Sequence, residues 1–159
     1  MSPEIANLTD TIERELNLLR ELAGDLIACR TAFTGMDLDA IHMHVAKQAM
    51  LCEKLQKVEA ERATAWQTGA QRGGLPTPGG AVRAWIQSLD PPVAARLREL
   101  LTELVVAEGE VRNLNRVHTL LIDGSRKTLN VLTNALAAFN PTYAAPAASK
   151  PLASVGAQR

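Results

Sequence analysis

Three histidines, two cysteines and a line of polar residues set into an apolar helix stripe are the side chains here that could do chemistry. His42 and His44 lie two residues apart, which on a helix turns them about 200° from one another, so the pair cannot share a metal ion. A zinc site would require both to meet His118, Cys29 and Cys52. Nucleophilic catalysis needs a Ser or Cys held beside a base, and no segment offers that context. The carboxylates of Glu59, Glu61, Glu108 and Glu110 fall on helical segments, where they read as solvated charge. The chain has no P-loop, no glycine-rich phosphate fingerprint after a strand and no HExxH. No catalytic residue, no metal ligand and no cofactor is expected.

The polar line lies on the last helical segment. Steps of four and three residues connect Leu97, Leu101, Leu104, Glu108, Val111, Asn115, His118, Ile122, Ser125, Leu129, Leu132, Leu136 and Phe139. Such spacing keeps one stripe facing a partner helix, as in a coiled coil. Glu108, Asn115, His118 and Ser125 interrupt it, and a polar group on a buried seam costs stability unless it is paired. Asn115 and His118 are three apart and therefore neighbours on one face. One reading is a polar pair that fixes register in a bundle. The other is a helix docked weakly enough to exchange partners. Leu114, Leu121, Ile122, Leu129, Leu132, Leu136 and Phe139 would then offer an apolar face to a client helix.

The elements that must carry these residues are all helical. Apolar residues make up 47% of the 159 and aromatics only 3%, so Leu, Ala, Val and Ile must build the core. Runs of alternating β-branched or aromatic residues are absent. A first helix opens at Ser2-Pro3, with Ser2 as N-cap, and carries Ile5, Leu8, Ile12, Leu19, Leu22, Leu26, Cys29 and Phe33 on one stripe. Gly35 as C-cap and Asp37 as the next N-cap predict a short turn and an antiparallel second helix. That helix presents Leu38, Ile41, Val45, Cys52 and Leu55. In the hairpin Cys29 and Cys52 differ in height by on the order of 15 Å, too far for a disulfide, which predicts two core thiols in a reducing compartment.

The domain reading follows from these elements. Residues 1–72 form an antiparallel helical hairpin, 73–80 a Gly/Pro linker, 81–143 a short helix anchored by Trp85 plus a long C-terminal helix, and 144–159 a disordered tail. Asp90 caps the long helix, Pro91 opens it, and Asn140-Pro141 ends it. The expected fold is an elongated, antiparallel three-helix coiled-coil bundle with a long C-terminal helix.

Formal net charge is zero, which removes any general pull toward nucleic acid or an anionic membrane. Arg112, Arg116, Arg126 and Lys127, opposed by Asp123, form the one basic excess, and no aromatic residue interleaves it. No segment reaches the roughly 18 apolar residues of a membrane span, and the N-terminus lacks the pattern of a secretory signal. A cytoplasmic location is expected. A self-associating coiled-coil scaffold with no client, oligomeric even on dilution, is the alternative function.

The run from Val111 to Leu121 resembles the "lN-x-x-N-x-x-L" signature of the FlgN family of flagellar export chaperones, carried by Leu114-Asn115, His118 and Leu121. Gly35 to Ile41 resembles the family's "GD-l-x-x-L" turn. Lys47-Gln48, Leu51, Leu55 and Glu59 to Arg62 are similar to its "eK-x-x-L-x-x-L…E-x-x-R" helix. His118 stands where the family has a second Asn, and Ala144-Ala145 follow Tyr143 where a glycine-containing ending is common. The resemblance covers nearly the whole chain except the tail. It implies a non-enzymatic chaperone of type III flagellar export. Its clients would be the C-terminal helices of hook–filament junction proteins (FlgK/FlgL type), which it would keep unassembled and deliver to the export gate. It also implies that the client-binding helix is the C-terminal one, with Val111, Leu114, Asn115, His118, Leu121, Ile122, Ser125, Leu129, Leu132, Leu136 and Phe139 as candidate contacts. Tyr143 is the candidate contact with the export gate.

Overall fold

The structure is a computed structural model that describes residues 3–72 and 81–139. Four helices follow in order: α1 (Pro3–Thr34), α2 (Leu38–Arg72), α3 (Ala81–Ser88) and α4 (Pro91–Phe139). Among the described residues there is no strand, and the helices pack on one another as an all-α bundle. Ser2, residues 73–80, Asn140-Pro141, Tyr143 and the 144–159 tail lie outside the described residues. The chain divides into two compact units, Met1–His118 and Thr119–Arg159.

In the first unit α1 is the central helix. Its ion pairs with α2 run in opposite directions along the two chains, from Arg14–Glu61 and Glu15–Arg62 to Glu21–Lys47 and Asp25–His44, so the hairpin is antiparallel. Its contacts with α4 advance in step, from Glu13–Arg96 through Arg20–Glu103 to Phe33–His118, so those two helices are parallel. Apolar burial between them supplies the main stabilisation. Ile5, Leu8, Ile12, Leu16 and Leu19 of α1 meet Leu97, Leu100 and Leu104 of α4 in the larger core cluster. Helix α3 seats Trp85 edge-on against Trp66 of α2, with ring centroids 5.6 Å apart. Gly69 makes room for it: a Cβ there would lie 2.7 Å from Trp85 Cζ2.

The turn between α1 and α2 departs from its expected chemistry. The N–H of Asp37 donates to the carbonyl of Ala32 and that of Met36 to Phe33, a Schellman closure. The residue in the left-handed region is Met36, at φ 55°, one position beyond Gly35. The expected restart is present: the backbone N–H of Ala40 donates to the Asp37 carboxylate at 3.0 Å.

The phase of the α4 seam also differs. The row that faces α1 is Leu97, Leu100, Leu104, Ala107, Val111, Leu114 and His118, entered by a step of three. Leu100 and Leu101 are both apolar, so either can continue a heptad from Leu97. One row then meets Ala107 and Leu114, the other Glu108 and Asn115. Desolvation decides for the apolar row.

Candidate functional site

Of the four polar positions expected on the seam, only His118 is buried. Glu108 is half-buried, while Asn115 and Ser125 are exposed. The loosely held polar seam of the sequence reading is therefore one buried imidazole. Its ring stands edge-on to Phe33, with centroids 5.3 Å apart, and its Nδ1 has no hydrogen-bond partner among the described residues. Burial first, and then the Arg30 charge, lower its pKa below the ordinary imidazole value.

The apolar candidates divide between the two units. Val111 and Leu114 are half-buried in the first. In the second, Ile122 is half-buried, but Leu129, Leu132 and Leu136 keep 57%, 54% and 55% of their surface exposed, and Leu121 is exposed too. Phe139 is the last residue of α4. Helical spacing places Leu121, Ile122, Ser125, Leu129, Leu132 and Leu136 within one stripe. The Ser125 hydroxyl donates back to the Leu121 carbonyl at 2.9 Å, which satisfies it without a partner across the stripe.

The first unit also contains a cleft of about 450 Å³ bounded by α1, α2 and α4. Leu22, Leu26, Leu55 and Val111 give it an apolar lining, and Glu59 and Glu108 stand at its edge. Below them lies Glu15, a buried carboxylate that the stripe reading of α1 missed. Arg62 donates to both its oxygens, at 2.6 and 3.3 Å. Burial raises the Glu15 pKa, Arg62 partly offsets that, and the negative charges of Glu108 and Glu59 add to the rise.

A second buried carboxylate, Asp25, was missed as well. His44 Nδ1–H donates to it at 2.8 Å and Gln48 at 3.0 Å, with Lys47 3.8 Å away. Both acids sit on the face of α1 turned to α2, and their only signal in the sequence is a basic or amide partner in the antiparallel register. The cysteines differ from the expected pair of core thiols: Cys29 is buried, whereas Cys52 is exposed beside the cleft. Burial raises the Cys29 pKa, with a smaller push from Asp25, and a hydrogen bond with Gln48 opposes it. His42 is exposed, His44 is paired with Asp25 and His118 faces Phe33. Among the described residues no group of three or more His, Cys, Asp or Glu side chains is placed to hold a metal ion.

Among the described residues no helix is long and apolar enough to cross a membrane. The first unit is a packed helical bundle, and the stretch after it leaves three leucines of one stripe about half exposed. The sequence profile described as FlgN protein matches residues 1–150, and the chain belongs to that family. Its members are flagellar export chaperones rather than enzymes, and binding flagellar export substrates is the general role that membership brings. No curated protein and no solved structure matches the chain.

Proposed function

We propose that this chaperone binds the C-terminal amphipathic helices of flagellar hook–filament junction proteins in the cytoplasm, keeps them from assembling early, and delivers them to the export gate. The observation that carries this reading is the uncovered stripe of Leu121, Leu129, Leu132 and Leu136 in a chain of the FlgN family. A client helix laid along it buries apolar surface on both partners, worth roughly 25 cal/mol per Å² before the costs of association. The stripe is exposed as it stands, so docking requires no prior release of a polar seam. Val111, Leu114 and Asn115 remain proposed client contacts, and Tyr143 remains the proposed gate contact.

Calorimetric titration with the C-terminal helical segments of the same cell's junction proteins tests this. Saturable one-to-one binding that Leu132→Asp with Leu136→Asp abolishes is the expected result. Absence of binding to every such segment would overturn the client assignment. Binding that ignores both substitutions would move the site off α4.

A further inference from the structure

Apolar exposure on this chain is not confined to α4. Helix α2 packs Leu51 with Leu22 and Leu26 of α1, and turns another face, from Leu38 to Met50, to solvent. Leu38, Met43, Val45 and Met50 keep between 45% and 69% of their surface exposed, and Ala46 between them is exposed too. Met43, Ala46 and Met50 follow at steps of three and four, the spacing of a helix seam. All of these residues belong to the first unit.

Charge runs along this face with a direction. Asp39 stands at its start and Lys54 at its end, both exposed and neither in an ion pair among the described residues. The other charges nearby are engaged: Glu53 by Lys57 at 3.0 Å and Lys47 by Glu21 at 3.2 Å. Met43 lies four residues after Asp39, and Met50 four before Lys54. Turned end for end against itself, the row therefore sets methionine on methionine and Asp39 on Lys54. Ala46, halfway along, has too little side chain to hold two backbones apart. A parallel pair would instead oppose like charges at both ends. The face is complementary to its own reverse, which points to a second copy as its occupant.

We propose that two copies pair through this face of α2, antiparallel, with Met43 of each against Met50 of the other and Asp39 against Lys54. The same patch serves on both copies, so the contact closes at two and draws on the first unit alone. Exposed methionines suit it, being unbranched and polarizable enough to repack on one another. The row from Asp39 to Lys54 is about 22 Å long, which makes a small interface and a reversible one. No client enters this pairing, so it and the function proposed above fail separately.

Sedimentation velocity is the test, on the full chain carrying Leu132→Asp and Leu136→Asp so that the exposed α4 stripe contributes nothing. A reversible monomer–dimer equilibrium is expected, weakened about a hundredfold by adding Met43→Asp with Met50→Asp. Asp39→Lys alone, or Lys54→Asp alone, should weaken it about tenfold, because each sets like charges together twice. Both changes in one chain should restore it, since every pair is then reversed but still opposite. Circular dichroism checks folding; should Asp39→Lys not fold, Lys54→Asp and the methionine pair decide. A monomer at all concentrations overturns the proposal, and so does a dimer indifferent to the methionine substitutions. Charge changes that weaken association singly but fail to restore it together overturn the antiparallel pairing.

Discussion

Residues 91–118 and 119–139 of α4 are written in the same heptad idiom and meet opposite fates. In the first stretch Leu97, Leu100 and Leu104 keep 1–3% of their surface exposed; in the second Leu129, Leu132 and Leu136 keep more than half. Hydrophobic periodicity states that a stripe must be covered, and it does not state by what. In the first stretch α1 of the same chain is the cover. The exposed stripe of the second stretch is the feature on which the proposed client site rests.

The largest effect that would break this contrast is a pair of equal truncations. Leu100→Ala removes a buried side chain from the main cluster and should cost about 3 kcal/mol, read from urea unfolding. Leu132→Ala removes the same atoms from an exposed position and should change stability by less than about 0.5 kcal/mol. It should instead weaken client binding about tenfold. Equal stability losses at the two sites would mean that the second stretch is covered within the chain.

The core of the first unit holds a buried ion pair, which sharpens the contrast from another side. Arg62→Ala would leave the Glu15 carboxylate without its counter-charge and should cost about 2 kcal/mol at neutral pH, discounted because Arg62 is itself partly exposed. Burial already holds the Glu15 pKa above its ordinary value. A raised acid contributes stability that is present below its unfolded pKa and is lost as pH rises through the folded one. The cost of Arg62→Ala should therefore shrink as pH falls through the carboxylate range. It should nearly vanish at all pH values when Glu15→Gln is added.

Much of this was legible in the residues. Capping at Asp37 and Pro at the start of α4 marked the helices, and the 3-and-4 spacing marked the long seam. The phase of that seam was not legible, because adjacent leucines at 100 and 101 let two rows begin equally well. Nor was the central place of α1. A helix covered on two sides buries residues outside any single stripe, and Thr11, Glu15 and Asp25 become interior only once both neighbours are in place. Cys52 shows the reverse error: the buried row of α2 runs through Leu51, Val58 and Ala65, one residue out of phase, which leaves Cys52 exposed beside the cleft.

His118 is the last residue of the first unit and the last buried position of the α4 row, so it tests where the contrast begins. Its folded pKa is lowered, chiefly by burial. Above the ordinary imidazole value of ~6.5 it is neutral folded and unfolded alike. Between that value and its lower folded pKa the unfolded chain binds the extra proton, so stability falls as pH drops through this window. His118→Leu removes both the titration and the unpartnered Nδ1. It should raise stability by about 1 kcal/mol at neutral pH and flatten the pH dependence just below 6.5. An unchanged slope would show that His118 does not set it.

The smallest effect serves as the control on all the others. Met36 holds a left-handed conformation in the α1–α2 turn, which costs an L side chain roughly 1 kcal/mol and glycine almost nothing. Its side chain is largely exposed, so nothing is lost from the core when it is removed. Met36→Gly should therefore stabilise the first unit by about 0.5 kcal/mol, the remainder being offset by the greater freedom of glycine in the unfolded chain. Gly35→Ala alone should be nearly neutral, because a Cβ there meets only ordinary contacts at 3.5 and 3.8 Å. Neither change touches the 119–139 stripe, so client affinity should be unmoved by both. A fall in affinity with Met36→Gly would place the exposed turn in the client contact and extend the binding surface beyond α4.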